Sequence, residues 1–206
     1  EMSIGFATTG WQYRIPPPLT LAEPHKLVLS KPLGTGIVMA GHMAHRVDGT
    51  VLANAIDVME QNNHLAAQIF NKQAGGVAWM TDVTGFGLAR HALNLAKRVS
   101  AVGVTLFPED CPFITGALSL SAKGVQSSAF TANQLSLTES ALDPHSPSAK
   151  LMFDPQTSGG ILAAVPQTQT RDCLQRLHQA GYSHTTVVGH LSEQPGLKFK
   201  KEMRAE

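Results

Sequence analysis

The chain has 206 residues, of which 43% are hydrophobic, so it can bury the core of one large domain or two small ones. Its 16 basic and 15 acidic side chains give a formal charge of +1, which creates no field that would draw it to nucleic acid or to an anionic membrane. No apolar run approaches the ~20 residues that cross a bilayer. We therefore expect a cytoplasmic protein with neither kind of partner, in which Cys111 and Cys173 are reduced packing residues.

The first 25 residues are predicted to lead into a domain. Residues 3–9 alternate and predict a strand, after which Pro16, Pro17, Pro18 and Pro24 hold the chain extended. Because the sequence runs into this strand almost at once, we expect a piece of a longer protein. Residues 1–25 are then a strand and proline-rich linker from a preceding domain, and residues 26–206 form the domain itself.

Beyond the linker, strands and helices alternate, which predicts an α+β fold, a layered α/β domain with a sheet and flanking helices. The predicted strands cover residues 26–30, 77–80, 102–107, 159–165 and 184–191. The predicted helices cover residues 50–72, as a hairpin or one broken helix, and 88–99, 113–123 and 170–180. Residues 31–36 suit a turn, residues 37–40 are apolar, and residues 126–150 predict a loop with a helical turn or two. The basic cluster at 198–204 predicts a solvated tail.

Residues 81–87 read Thr-Asp-Val-Thr-Gly-Phe-Gly and place one carboxylate beside a glycine-rich turn that enters a helix. A carboxylate can hold Mg²⁺, and open backbone N–H groups at a helix start can hold phosphate. The same residues could equally well cap the helix that starts near Phe86. Two glycines that bracket an aromatic residue exceed what a cap needs, which favours close approach by a ligand.

Residues 154–160 read Asp-Pro-Gln-Thr-Ser-Gly-Gly and place an acid, two hydroxyls and paired glycines at the start of a predicted strand. An ordinary turn with an Asx cap would also explain them. Together with residues 81–87 they strengthen the case for a surface that binds anions. The phosphate-facing candidates are Thr81, Thr84, Gly85, Gly87, Asp154, Thr157, Ser158, Gly159 and Gly160, and the metal candidate is Asp82.

The histidines give weaker signals. His42, His45 and Asp48 are spaced by three, so on a helix they would share one face, either as metal ligands or as a solvated polar face, which we favour. His91 falls in the first turns of the helix after Gly87, where polar packing is favoured over catalysis. No nucleophile elbow, Walker A lysine or dinucleotide fingerprint is present, and no catalytic residue is predicted.

Three motifs in order, at residues 31–36 (Lys-Pro-Leu-Gly-Thr-Gly), 81–87 and 154–160, resemble the C-terminal half of selenophosphate synthetase (selenide, water dikinase) over nearly the whole chain. The resemblance implies the superfamily of aminoimidazole ribonucleotide synthetase, whose C-terminal domain is an α+β layered fold with a mixed sheet. It also implies an ATP- and Mg²⁺-dependent reaction that turns selenide and water into selenophosphate, AMP and orthophosphate. In that family the Asp of the second motif is a metal ligand, a role that falls here on Asp82.

The resemblance further implies partners outside this chain. These are an N-terminal synthetase domain with the reactive residue and most nucleotide contacts, a second copy in a homodimer of the full-length protein, and in some members a fused flavin-dependent oxidoreductase. The usual Pro-Gly-Gly-Thr and Arg-Asn residues are reduced here to Gly124 and Asn133, which indicates a divergent branch. The alternatives are a related ATP-dependent synthetase or kinase, acting on an aminoimidazole ribotide, thiamine phosphate or a hydrogenase maturation intermediate, and a divergent non-catalytic domain.

Overall fold

The structure is a computed structural model that describes residues 7, 9, 23–73, 79–99, 103–137 and 146–200. The predicted strand at residues 3–9 and nearly all of the proline-rich linker lie outside the described residues, so the predicted boundary at residue 25 stays a prediction.

Six strands form one mixed sheet. They are β1 (His25–Leu29), β2 (Met80–Asp82), β3 (Gly103–Leu106), β4 (Ile161–Pro166), β5 (Thr186–Ser192) and β6 (Gly196–Phe199). Their order in the sheet is β2-β4-β1-β5-β3-β6. Neighbours are antiparallel except for β3 and β6, which are parallel. The expected mixed sheet is thereby confirmed.

Eight α-helices surround this sheet in the described part of the chain. They are α1 (Thr35–Met43), α2 (Gly49–Glu60), α3 (His64–Gln73), α4 (Gly87–Arg98), α5 (Ala117–Ala122), α6 (Phe130–Leu135), α7 (Pro147–Leu151) and α8 (Thr170–Gln179). The predicted break in the first long helical segment is confirmed by the separation of α2 from α3. None of the helices in these described ranges is long and apolar enough to cross a membrane.

Both faces of the sheet are covered because side chains alternate along each strand. Leu27, Leu29 and Leu162 belong to a large core that includes the apolar side of α4, whereas Val28 and Val165 belong to a smaller core with α3 and α8. Cys111 and Cys173 are both buried and unpaired, as expected for packing residues. The α+β layered fold is therefore confirmed.

Two predicted elements have other bounds. Strand β2 covers Met80–Asp82 instead of residues 77–80, of which 77 and 78 lie outside the described residues, and helix α5 begins at Ala117 instead of residue 113.

Two further elements differ from expectation. The apolar residues 37–40 lie within helix α1, whose N-cap Gly34 has a φ of +122° that glycine adopts more readily than other residues. Residues 196–199 form β6 rather than part of a solvated tail, so the prediction for Lys198 is wrong. Leu197 is buried beside exposed Lys198, and this alternation anchors the strand against β3.

Candidate active site where three loops meet

Three loops meet at one end of the sheet, and they are the three motifs of the sequence. We call them the Lys31 loop (residues 31–36), the Asp82 loop (residues 82–87) and the Asp154 loop (residues 154–160). The first follows the end of β1, the second includes the end of β2, and the third precedes the start of β4. Because β4 pairs antiparallel with both β1 and β2, these three strand ends lie side by side.

The Asp82 loop is fastened to the Asp154 loop through the backbone. Val83 N–H donates to the Gly160 carbonyl at 2.9 Å, and Gln156 N–H donates to the Thr84 carbonyl at 3.1 Å. A Cβ on Gly159 would lie 2.2 Å from the Val83 carbonyl oxygen, so only glycine fits at this contact. Gly159 thus has a packing reason to be glycine, whether or not a ligand approaches it.

The side chains of Asp154 and Gln156 fasten the Asp154 loop to helix α1. Gln156 Oε1 accepts from the N–H groups of Gly34 and Thr35 at 2.9 and 3.2 Å, and Asp154 Oδ2 accepts from Ile37 N–H at 2.9 Å. Sequence reasoning missed Gln156, because a neutral side chain in a turn gives no signal for such a contact.

Asp154 is only 2% exposed. Burial raises the pKa of its carboxyl group to about 6, although hydrogen bonds from Ile37 N–H and Gln156 Nε2 oppose the shift. The structure thus shows Asp154 as the acceptor at the start of α1, and its phosphate-facing role stays a prediction.

Other residues of the Asp154 loop contact the Lys31 loop and helix α2. Thr157 N–H donates to Thr35 Oγ1 at 2.8 Å, and Ser158 Oγ donates to the Met59 carbonyl at 2.6 Å. A Cβ on Gly160 would lie 2.6 Å from the Lys31 backbone nitrogen. The side chains of Thr157 and Ser158 are nevertheless exposed, so both can be reached from solvent.

Lys31 is buried and holds the end of helix α2. Its Nζ donates to the carbonyls of Val58 and Gln61 at 3.0 and 2.8 Å, which satisfies acceptors that the helix leaves open. Burial lowers the pKa of its ammonium group to about 8. Its role in the structure is to pack α2 against the Lys31 loop.

Asp82 differs from Asp154 because its carboxylate is exposed at the end of β2. It makes no hydrogen bond or ion pair with any residue that the structure describes, whereas the Thr81 hydroxyl donates to the Asp82 carbonyl at 3.1 Å. An exposed carboxylate with no protein partner has all its lone pairs available for a cation.

The turn after Asp82 leaves two N–H groups open. Gly87 N–H donates to the Thr84 carbonyl at 3.0 Å, but within the described residues the N–H groups of Gly85 and Phe86 donate to nothing. Both residues are exposed and stand just before helix α4, where the helix dipole favours an anion. A Cβ on Gly85 would meet no described atom within 4 Å, so packing does not explain this glycine.

Gly87 is required by the fold instead. Its φ is +75°, and a Cβ there would lie 2.8 Å from the Phe153 carbonyl carbon. The two glycines of the turn therefore differ in kind, since one permits a close backbone contact and the other faces open space.

Two side chains from outside the motifs hold this turn in place. His91 Nε2 accepts from Thr84 N–H at 3.1 Å, which requires the neutral tautomer with the proton on Nδ1. Burial lowers the pKa of His91, and the nearby charge of Asp82 opposes this. Asn133 Nδ2 donates to the carbonyls of Gly85 and Phe153 at 2.8 and 3.0 Å. The polar packing expected of His91 matches this contact, whereas nothing in the sequence indicated the bridging role of Asn133.

The described residues supply only part of a metal site. They contain no group of three or more His, Cys, Asp or Glu side chains that could hold an ion, so Asp82 is a single available ligand. His42, His45 and Asp48 do not share a helical face, so that prediction is wrong, although all three are exposed, as the favoured solvated interpretation expects. Helix α1 ends at Met43, His45 has a φ of +57°, and Asp48 caps the next helix by accepting from Val51 N–H at 3.0 Å.

The chain is similar to known proteins in sequence and in fold. The family model described as AIR synthase related protein, C-terminal domain, matches residues 23–202. A selenide, water dikinase from Desulfitobacterium hafniense strain Y51 is 31% identical over 190 residues, which cover 87% of this chain and 53% of that protein. This chain spans about half the length of the curated relatives it matches.

Two solved structures share the fold. One is E. coli HypE, a hydrogenase maturation protein, with a TM-score of 0.58 and 16% identity over 90% of this chain and 49% of that one. The other is thiamine-monophosphate kinase from Stenotrophomonas maltophilia K279a, with a TM-score of 0.56 and 14% identity over 86% of this chain and 50% of that one. At such identities the likeness shows the fold alone.

Proposed function

Because the chain belongs to the family of AIR synthase related proteins, whose C-terminal domain it matches, we propose that it is the C-terminal domain of a selenophosphate synthetase. Such an enzyme turns selenide, ATP and water into selenophosphate, AMP and orthophosphate. The family contains ATP-dependent synthetases and kinases, and relatives named selenide, water dikinase favour selenide as the substrate.

One observation carries the proposal: Asp82 presents an unpaired carboxylate beside two unpaired backbone N–H groups, those of Gly85 and Phe86. Phosphoryl transfer depends mainly on positioning the phosphates and on neutralising their charge. A carboxylate that can hold Mg²⁺ and N–H groups that can bind phosphate oxygens meet both requirements. Thr81 and Thr84 flank this point, and the exposed Thr157 and Ser158 lie on the neighbouring loop.

Asp82 is the residue of this chain that would hold Mg²⁺. When bound, the ion would neutralise phosphate charge and orient the ATP phosphates. Mg²⁺ commonly takes one or two protein carboxylates and completes its shell with phosphate oxygens and water. A single ligand from this chain is therefore compatible with a site whose other ligands come from elsewhere.

The remaining components of the reaction belong to partners. We infer that an N-terminal synthetase domain supplies the reactive residue, the other metal ligands and most ATP contacts. The full-length protein is then a homodimer, as the family resemblance implies. Fusion to a flavin-dependent oxidoreductase stays a further prediction of that resemblance.

The test is the selenide dependence of AMP release by the intact protein that contains this chain. We expect AMP and selenophosphate only when selenide, ATP and Mg²⁺ are all present. ADP formed with an aminoimidazole ribotide or with thiamine phosphate would favour a related synthetase or kinase. The absence of turnover with every substrate, although ATP still binds, would favour the divergent non-catalytic domain.

A further inference from the structure

An open cavity of about 600 Å³ lies along helix α8, which packs on one face of the sheet. It opens between helix α8 and strands β1 and β5, near the first residues of β1 and just past the end of β4. Its volume is in the range of pockets that bind small organic molecules. Nothing in the proposed function uses this part of the fold.

Helix α8 supplies most of the wall, because residues spaced by three or four face the same side of a helix. Arg171, Leu174 and His178 line the cavity on this side, and Lys26 of β1 and Val187 of β5 line it from the sheet. Glutamine and threonine side chains complete the lining, and none of the described residues that form it is acidic. The cavity therefore places two apolar side chains, Leu174 and Val187, beside two basic ones, Lys26 and Arg171.

Within the described residues neither Lys26 nor Arg171 forms an ion pair, and the nearby carboxylate of Glu23 accepts from the Thr168 hydroxyl at 3.1 Å. Lys26 pairs across the sheet with His190, and the charges of Lys26 and Lys200 add to burial in lowering the pKa of His190. Asp172, the acid in the first turn of α8, forms an ion pair with Arg176 at 2.9 Å and does not line the cavity. The N-terminal turn of α8 contributes its own positive potential at this point.

We propose that this cavity binds a small organic phosphate, with the phosphate beside Lys26 and Arg171 and the apolar part against Leu174 and Val187. The two cations are needed because phosphate carries up to two negative charges, and a guanidinium offers paired donors that match its oxygens. The apolar side chains of Leu174 and Val187 distinguish an organic phosphate from the free ion. This site is separate from the Asp82 loop and does not depend on the proposed function.

The test uses the chain itself, titrated with AMP and followed by amide chemical shifts in NMR. We expect saturable shifts at Lys26, Leu174, Gln175 and Val187, which weaken as salt is raised. Adenosine, which lacks the phosphate, and inorganic phosphate, which lacks the apolar part, should each bind more weakly than AMP. Lys26→Gln and Arg171→Gln should each raise the Kd for AMP roughly threefold or more.

Lys97→Gln is the matched control, because it removes one positive charge from an exposed side chain of α4, outside the cavity. It should leave the Kd for AMP unchanged. The proposal is overturned if the cavity residues do not shift at about 10 mM AMP, if adenosine binds as well as AMP, or if Lys97→Gln weakens binding as much as Arg171→Gln. Chemical-shift changes at Gly85 and Phe86 would report binding at the Asp82 loop instead. The cavity proposal and the proposed function can therefore fail independently.

Discussion

Gly85 and Gly87 are two residues apart, yet the structure gives them different reasons to be glycine. Gly87 has positive φ and touches the backbone of Phe153, whereas a side chain on Gly85 would point into open space. Gly87→Ala should therefore lower the free energy of unfolding by about 2 kcal/mol or more, whereas Gly85→Ala should change it by less than about 0.5 kcal/mol. Urea denaturation of the chain measures both.

The same pair tests whether a phosphate approaches the turn. If the open N–H groups of Gly85 and Phe86 meet phosphate, a methyl group on residue 85 obstructs the approach, and turnover of the intact protein should fall although its stability does not. Full activity in Gly85→Ala would contradict this, and it would leave that glycine without an explanation in the structure.

His91 is expected to hold the Asp82 loop through its contact with Thr84. His91→Ala removes the acceptor of a partly buried N–H, which should cost about 1–3 kcal/mol and speed hydrogen exchange at Thr84. His184→Ala, which changes an exposed histidine, is the control. If Thr84 exchanges at the same rate in His91→Ala and wild type, the loop is held by other contacts.

At the scale of elements, the start of helix α1 depends on a buried carboxyl group. The pKa of Asp154 in the folded state is about 6, above the usual value of 3.8, so the folded protein binds this proton more tightly than the unfolded chain does. The ionisation of Asp154 therefore lowers the free energy of unfolding by on the order of 2–3 kcal/mol as the pH rises from about 4 to about 6.

Asp154→Asn should remove this dependence while keeping an acceptor for Ile37 N–H. We expect the wild type to lose stability relative to Asp154→Asn as the pH rises through this range, as measured by urea unfolding at several pH values. A difference between the two proteins that is constant with pH would show that Asp154 does not titrate in this range.

The sequence predicted helices and strands well where their hydrophobic pattern extends over many residues. The amphipathic residues of α4 and α8 and the apolar run of β4 lie close to their predicted bounds. Helix α1 was missed because the acceptors at its start come from Asp154 and Gln156, more than a hundred residues away. Strand β6 was missed because its lysines resemble a solvated tail, whereas its pairing with β3 depends on tertiary structure.

At the scale of the whole molecule, the sequence predicted three motifs and their family, and the family model and relatives confirm that resemblance. It did not predict how the motifs are joined. Val83 meets Gly160 and Thr84 meets Gln156 through backbone groups, which no residue type specifies. Asn133 was noted as a remnant of a family motif, and its bridge between Gly85 and Phe153 became visible only in the fold.

The chain alone should bind ATP weakly. Within its described residues it offers one unpaired carboxylate and two open N–H groups at the Asp82 loop, and a metal site shared with another domain is incomplete without that domain. Titration of the chain with ATP and Mg²⁺, followed by the amide chemical shifts of Gly85 and Phe86, should show weak or undetectable binding at this loop. Micromolar affinity there would mean that the chain holds most of the nucleotide site by itself.

The most direct test of the account is the Mg²⁺-dependent turnover of Asp82→Asn in the intact protein. The change is nearly isosteric and exposed, so stability should stay within about 0.5 kcal/mol. Turnover should fall by on the order of 100-fold or more because the ligand charge is lost. Asp57→Asn, which neutralises an exposed carboxylate on α2, should remain active. Turnover of Asp82→Asn equal to that of Asp57→Asn, with the same Mg²⁺ dependence, would contradict the account.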